Sequence, residues 1–320
     1  MYGRINRKRW FGAGLAALFL ACWGVAALAA EEAPLVVAAS EPDIEAIVKA
    51  VGGTQVDTFT LFTGCILRKG LTVDPGSKPK LLGAQVVVWT GFLPEAGAIR
   101  LAVGSLSESR QKKSWNPAWI NLSKGAVQVD PAVSTGGGWC EGDVNEFTSH
   151  GDPFFRLNPE NGALMARDVA QGLSQLRPAQ KAYFESNAEA FSKALASDIA
   201  RWKDELKTLA GMRVLCTQCG WENFAKLGGP QFLVCKMKPG CCPTPEALVK
   251  HVQEMKVDAI LLDPQTSPKH AKALREVRNA VIADVPSSIG DLPGATSYGT
   301  LFDHFVEALQ KVAKERSGKS

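Results

Sequence analysis

The sequence predicts an α/β protein of two lobes with parallel sheets, joined by one long backbone helix. Two observations carry this. First, residues 178–210 place Phe184, Ala188, Phe191, Leu195, Ile199, Trp202, Leu206 and Leu209 at steps of three or four, a single apolar stripe. Pro178 suits the first helical turn and Gly211 the left-handed position beyond the last. At about 1.5 Å per residue such a helix runs roughly 48 Å, longer than one small domain is wide. Second, short apolar runs alternate with helical patterns on both sides of it, the signature of βαβ units. A chain of 320 residues accommodates two such lobes. The predicted organisation is a signal peptide at 1–30, an N-terminal lobe at 31–177, the connecting helix at 178–210 and a C-terminal lobe at 211–320.

The leader reads as an export signal. Arg4, Arg7, Lys8 and Arg9 precede an apolar run from Phe11 to Leu28, and Ala27-Leu28-Ala29 forms a cleavage pattern before Glu31-Glu32. The expected location is the periplasm. The alternatives are an uncleaved anchor and a lipoprotein attached through Cys22, which follows an imperfect Phe19-Leu20-Ala21 box.

In the N-terminal lobe, Leu35–Ala39 reads as a strand and 41–53 as a helix closed by glycines. Gln55–Phe62 is an alternating strand that ends at Thr63-Gly64-Cys65. A short helix is expected at 78–82, a doubly buried strand at 84–90 and a helix within 91–110. Residues 114–150 carry little pattern and read as a long functional loop. Asn158-Pro159-Glu160-Asn161 opens a helix through about Leu176. Past Gly211 the expected strands are 213–216, 231–235, 258–262 and 280–283, the last ending at Asp284. The expected helices are 221–227, 246–256, 268–278 and 298–314. Ligands in such sheets bind beyond the carboxyl ends of strands. Those ends fall at Cys65, at Cys216 to Cys219, in the 235–242 loop and at Asp284.

An apolar content of 46% with 21% charged residues is that of a folded protein, and a net charge of +4 that includes the basic leader gives no nucleic-acid surface. There is no Ser-His-Asp order, phosphate loop or convincing carboxylate pair, so no enzyme is expected.

Several stretches are similar to a known family. Glu41-Pro42-Asp43-Ile44 through Gly53 looks like its first helix. Asp152-Pro153-Phe154-Phe155-Arg156-Leu157-Asn158-Pro159-Glu160-Asn161 resembles its DPHxWLDPxN stretch. Tyr183 to Phe191 resembles the start of its backbone helix, and Val257 to Pro268 its VKAIFxEPQxSP strand and turn. On these the chain resembles the metal-type periplasmic solute-binding proteins of ABC importers for zinc, manganese or iron. The resemblance implies a metal held in the cleft by four side chains, an ABC permease partner in the inner membrane and a monomer. The family's usual ligands are His, His, His or Glu, and Asp. Carried onto this chain they fall on Lys69, Phe154, Gln218 and Asp284, so three of the four positions lose their usual ligand.

Sulfur stands nearby instead. Setting aside Cys22, seven of the eight cysteines remain, an odd number, at 65, 140, 216, 219, 235, 241 and 242. Thiolates favour Zn, Cu(I) and other thiophilic ions. The expected metal set is Cys65, His150, Cys216, Cys219, Cys241, Cys242 and Asp284, with a transition-metal ion, Zn first and Cu or another thiophilic ion after it. Cys216-Thr217-Gln218-Cys219 is equally a pattern for a redox pair or a disulfide. Cys235 suits a short-loop disulfide, and Cys140 suits either role. His251, His270 and His304 are expected on helix surfaces, and Trp89, Trp115, Trp119 and Trp139 in packing. The expected function is metal capture and delivery to an ABC importer. The alternatives are a thiol redox protein, a binder of toxic thiophilic species and a binder of a non-metal small molecule.

Overall fold

The computed structural model describes residues 32–63, 72–106, 114–126, 152, 154–217, 220–233 and 244–318. Residues 34–320 form a compact unit that contains two four-stranded sheets. The first holds β1 (Leu35–Ala39), β2 (Val56–Thr60), β3 (Val86–Trp89) and β4 (Ala118–Asn121) in the order β2-β1-β3-β4. The second holds β5 (Arg213–Cys216), β6 (Gln231–Leu233), β7 (Ala259–Leu262) and β8 (Val281–Asp284) in the order β6-β5-β7-β8. Every pairing is parallel. The two sheets therefore share one topology, and in each the chain reverses direction across the sheet between its first and third strands.

The inner strands are buried on both faces, as Val86-Val87-Val88 and Ala259-Ile260-Leu261-Leu262 require. In the first lobe the covering helices are α1 (Pro42–Gly52), α2 (Leu93–Gly104) and α3 (Glu160–Leu176). Asn158 Oδ1 accepts the Glu160 N–H at 3.1 Å where α3 begins.

The long helix is α4 (Lys181–Lys207), entered through a 3₁₀ turn at Pro178–Gln180. Its expected stripe faces inward: Phe184, Ala188, Leu195, Trp202 and Leu206 are buried. The chain leaves it through Gly211, whose φ of 83° is the left-handed conformation expected there. α5 (Pro245–Glu254), α6 (Pro268–Arg275) and α7 (Tyr298–Ser317) complete the second lobe. Helix α4 packs on α1 and α3 of the first lobe and on α7 of the second. Its C-terminal half enters an aromatic cluster. Trp202 lies 5.3 Å from Phe302, and Trp221 stacks on Phe305 at 3.6 Å.

Two expectations are corrected. The stretch 114–150 is not all loop: Ala118–Asn121 is an edge strand paired with β3. Trp119 sits edge-on to Trp89 and Trp115, so aromatic packing replaces the missing alternation. His270 is not on the surface. It is buried, and its Nδ1 lies 2.7 Å from the Ser267 hydroxyl that caps α6. His251 and His304 are half-buried on α5 and α7. The leader and residues 127–151 lie outside the described residues. Among the described residues no helix is long and apolar enough to cross a membrane.

Candidate metal site

The two lobes meet where the carboxyl ends of their strands approach each other. Parallel strands fix this edge, because every strand in a sheet delivers its last residue to the same side. Ser40, Thr90 and Leu122 leave the first sheet, and Thr217, Asp263 and Val285 leave the second.

Among the described residues, four direct bonds tie the edges together. Asn223 Nδ2 donates to Asp152 Oδ2 at 2.8 Å. The Ile289 N–H donates to Asp43 Oδ1 at 2.8 Å, beside the Ser288 hydroxyl at 3.0 Å. The Tyr298 hydroxyl donates to the Arg156 carbonyl at 2.6 Å. The Asp152–Asn161 motif thus holds the first lobe to the second as well as opening α3. Within it, Asn161 Nδ2 donates to the Phe155 carbonyl at 2.8 Å.

Phe154 occupies the position where the family resemblance places an imidazole. Its ring is 1% exposed and lies against the Gly220 backbone. Gly220 has a φ of 100°, and a Cβ there would come within 2.4 Å of the Phe154 Cβ. Glycine is needed at this position for both reasons. At this position the first lobe thus offers a buried hydrocarbon ring.

Cys216 ends β5 as a half-buried free thiol. Burial pushes the thiol well above its ordinary range, and the neighbouring Glu222 carboxylate pushes it further. Glu222 Oε2 accepts the Gly220 N–H at 2.8 Å. Burial raises Glu222 to about 7, against the backbone N–H groups it accepts, and Asp152 adds to the rise. Cys216, Glu222 and Asp152 thus form an electrostatically linked group spanning both lobes. The sequence reading missed Glu222 and Asp152. Asp152 was visible as the first residue of the DPHxWLDPxN-like stretch, and Glu222 as a carboxylate three residues past the CxxC.

Asp284 ends β8 on an exposed surface, where its carboxylate is paired with Arg275 of α6. A metal there would have to displace the guanidinium. Cys65, His150, Cys219, Cys241 and Cys242 lie outside the described residues, as do Lys69, Cys140, Gln218 and Cys235. Among the described residues, no three His, Cys, Asp or Glu side chains converge as a ready-made metal cage.

The family of periplasmic zinc-uptake complex components A (ZnuA) matches this chain over residues 37–312. The chain belongs to this family. The fold agrees with solved structures of low sequence identity. A ZnuA crystal structure superposes with a TM-score of 0.65 at 17% identity, covering 88% of this chain and 98% of that one. The Pseudomonas aeruginosa solute-binding protein FpvC, solved with Ni²⁺, gives 0.64 at 14% identity, covering 90% and 98%. A Zn(II)-bound mutant variant of Streptococcus pneumoniae AdcAII gives 0.62 at 19%, covering 87% and 100%. A comparison with curated proteins gave no match. The ZnuA family is one of solute-binding transport components rather than enzymes. Membership accounts for the duplicated sheet and the single long helix.

Proposed function

We propose that the protein captures a thiophilic transition-metal ion, zinc first, outside the inner membrane and delivers it to an ABC permease as a monomer. The observation that carries the reading is the contrast between Phe154 in the first lobe and the free thiol of Cys216 in the second. The imidazole expected from the first lobe is replaced by a buried ring, while the second lobe supplies sulfur at a strand end. Thiolate ligands favour Zn and Cu(I) over Mn or Ca. Cys216 would act with Cys65, Cys219, Cys241, Cys242 and the His150 imidazole. Asp284 would join only on releasing Arg275.

The chemistry asked of these residues is simple. The ion displaces the thiol protons, so binding releases protons and weakens as pH falls. Glu222, when ionised, offers negative charge beside the thiol and favours a cation there. The continuous α4 and the direct bonds between the lobes restrict hinge motion, so capture proceeds with little closure.

The test is metal content measured together with a free-thiol count on exported protein purified without chelator. About one equivalent of Zn or Cu, with thiols that become reactive only after metal removal, supports the proposal. Absence of metal with nearly all cysteines in disulfides refutes it. Thiols that cycle with a dithiol reductant irrespective of metal would instead identify a redox pair.

A further inference from the structure

The amino-terminal edge of the second sheet carries a cavity that metal capture does not use. Asp258 precedes β7 and Asn279 precedes β8, whereas the cleft residues follow these strands. The cavity has a volume of about 530 Å³. Val252, Val257 and Val277 line it with buried hydrocarbon.

The charges around it do not balance. Lys256, Arg278 and Arg316 line the cavity together with a single carboxylate, Asp258. Asp258 is already satisfied: one oxygen accepts the Arg213 N–H at 2.8 Å, and the other pairs with Arg316 at 2.8 Å. The arms of the Arg213 guanidinium are held by the Met255 carbonyl at 2.9 Å and by Gln231 at 3.3 Å. Three cations against one carboxylate leave an excess of two positive charges on the lining. The nearest carboxylates along the chain, Glu254, Glu276 and Glu315, are exposed and do not line the cavity.

The excess is also unpartnered. Among the described residues, no hydrogen bond or ion pair engages the side chain of Gln253, Lys256, Arg278 or Asn279. All four carry N–H donors and line this one cavity. Lys256 at φ 50° and Asn279 at φ 68° are the two non-glycine residues with positive φ among the described residues. Each follows a helix, α5 or α6, and turns the chain into the next strand, β7 or β8. Asparagine tolerates this conformation, whereas lysine adopts it rarely. Equivalent turns of two successive units thus bring their donors to the same place.

We propose that this cavity binds a phosphate monoester, with the phosphoryl group on Lys256, Arg278 and Asn279 and the carbon body against the valines. A phosphoryl group brings about −1.5 to −2 charge near pH 7 and three acceptor oxygens, which match the excess charge and the donors. A guanidinium presents a fork to such oxygens and an ammonium a point charge. A single carboxylate supplies one charge and two oxygens, and leaves half of the excess unmatched. The buried valines favour an ester over inorganic phosphate, because an apolar body gains by covering them. Strand β7, four residues long, separates the site from the cleft by roughly 13 Å, so binding needs no metal.

The test titrates ¹⁵N-labelled exported protein with phenyl phosphate, inorganic phosphate and benzoate, and reads amide shifts. Phenyl phosphate is expected to give saturable shifts at Lys256 and Asn279, and benzoate to bind about tenfold more weakly or worse. Inorganic phosphate is expected to shift the same amides with lower affinity. The double variant Lys256→Gln with Arg278→Gln is expected to weaken phenyl phosphate by about tenfold or more. The control Lys193→Gln with Lys269→Gln removes the same charge from other exposed sites and is expected to bind as the wild type does. The proposal is overturned if phenyl phosphate gives no saturable shift at these amides, if benzoate binds as well, or if the control weakens binding equally. Co-sedimentation with phosphatidylglycerol vesicles without any response to phenyl phosphate would replace the soluble ester by a membrane surface and also overturn it. The wild-type shifts do not depend on any variant folding.

Discussion

The two lobes share a topology and differ in what they bring to the cleft. The first presents carboxylates bound to a guanidinium: Glu41 and Asp43 on either side of Arg156. The second presents hydroxyls and a thiol. The Thr217 hydroxyl accepts the Asp263 N–H at 2.9 Å and lies 2.8 Å from the Thr266 hydroxyl, while Ser287 donates to Asp263. Cys216 stands next to them. A repeated βαβ plan thus fixes where side chains arrive and leaves open whether they act as a clamp or as a ligand set. On this reading the first lobe supplies mainly the clamp and the second mainly the donors.

Arg156→Met gives the sharpest test. It leaves two buried carboxylates without their cation and should cost about 3–5 kcal/mol in urea unfolding. Thr217→Val, at the matching edge of the second lobe, removes the hydroxyl that accepts the Asp263 N–H and should cost roughly 1–3 kcal/mol. Equal losses would erase the distinction between a clamp built on a buried ion pair and a network built on hydroxyls.

Gly220→Ala is next. It forces a side chain into a positive-φ position against Phe154, with an expected loss of about 1–3 kcal/mol in the same assay. An unchanged unfolding midpoint would mean that Phe154 does not plug the cleft.

Cys216→Ser should lower Zn affinity by about tenfold or more with little change in stability, measured by competition with a chromophoric chelator. Wild-type affinity should fall with pH by about a factor of ten per unit for each proton released. Retained affinity in Cys216→Ser would remove the donor role from this edge.

The smallest effect is expected for Asp284→Ala. Its exposed pair with Arg275 is worth no more than about 1 kcal/mol. A metal-affinity loss as large as that of Cys216→Ser would restore Asp284 to the ligand set.

Much of the fold was legible because burial on both faces of a parallel strand leaves a continuous apolar run. The run Val86-Val87-Val88 and the α4 stripe are examples. β4 was not legible, because Ala118–Asn121 is a short edge strand stabilised by Trp–Trp contacts rather than by alternation. His270 was misplaced because a helix pattern gives the element but not whether a neighbouring hydroxyl buries the ring. At the site, Cys216 was visible from its CxxC spacing. Asp284 was singled out as a strand-end carboxylate, but Arg275, nine residues back in sequence, already pairs with it.

The sequence by itself determined the two α/β lobes, the connecting helix and, through residue identities along the chain, the family. These follow from periodicity and residue identity, which are local. Only the tertiary structure decided that Arg156 joins Glu41 to Asp43, residues 115 and 113 positions away, and that Asp43 reaches Ile289, 246 positions away. A buried charge takes its stability from whatever partner folding brings within hydrogen-bond distance, and no pattern along the chain encodes that partner.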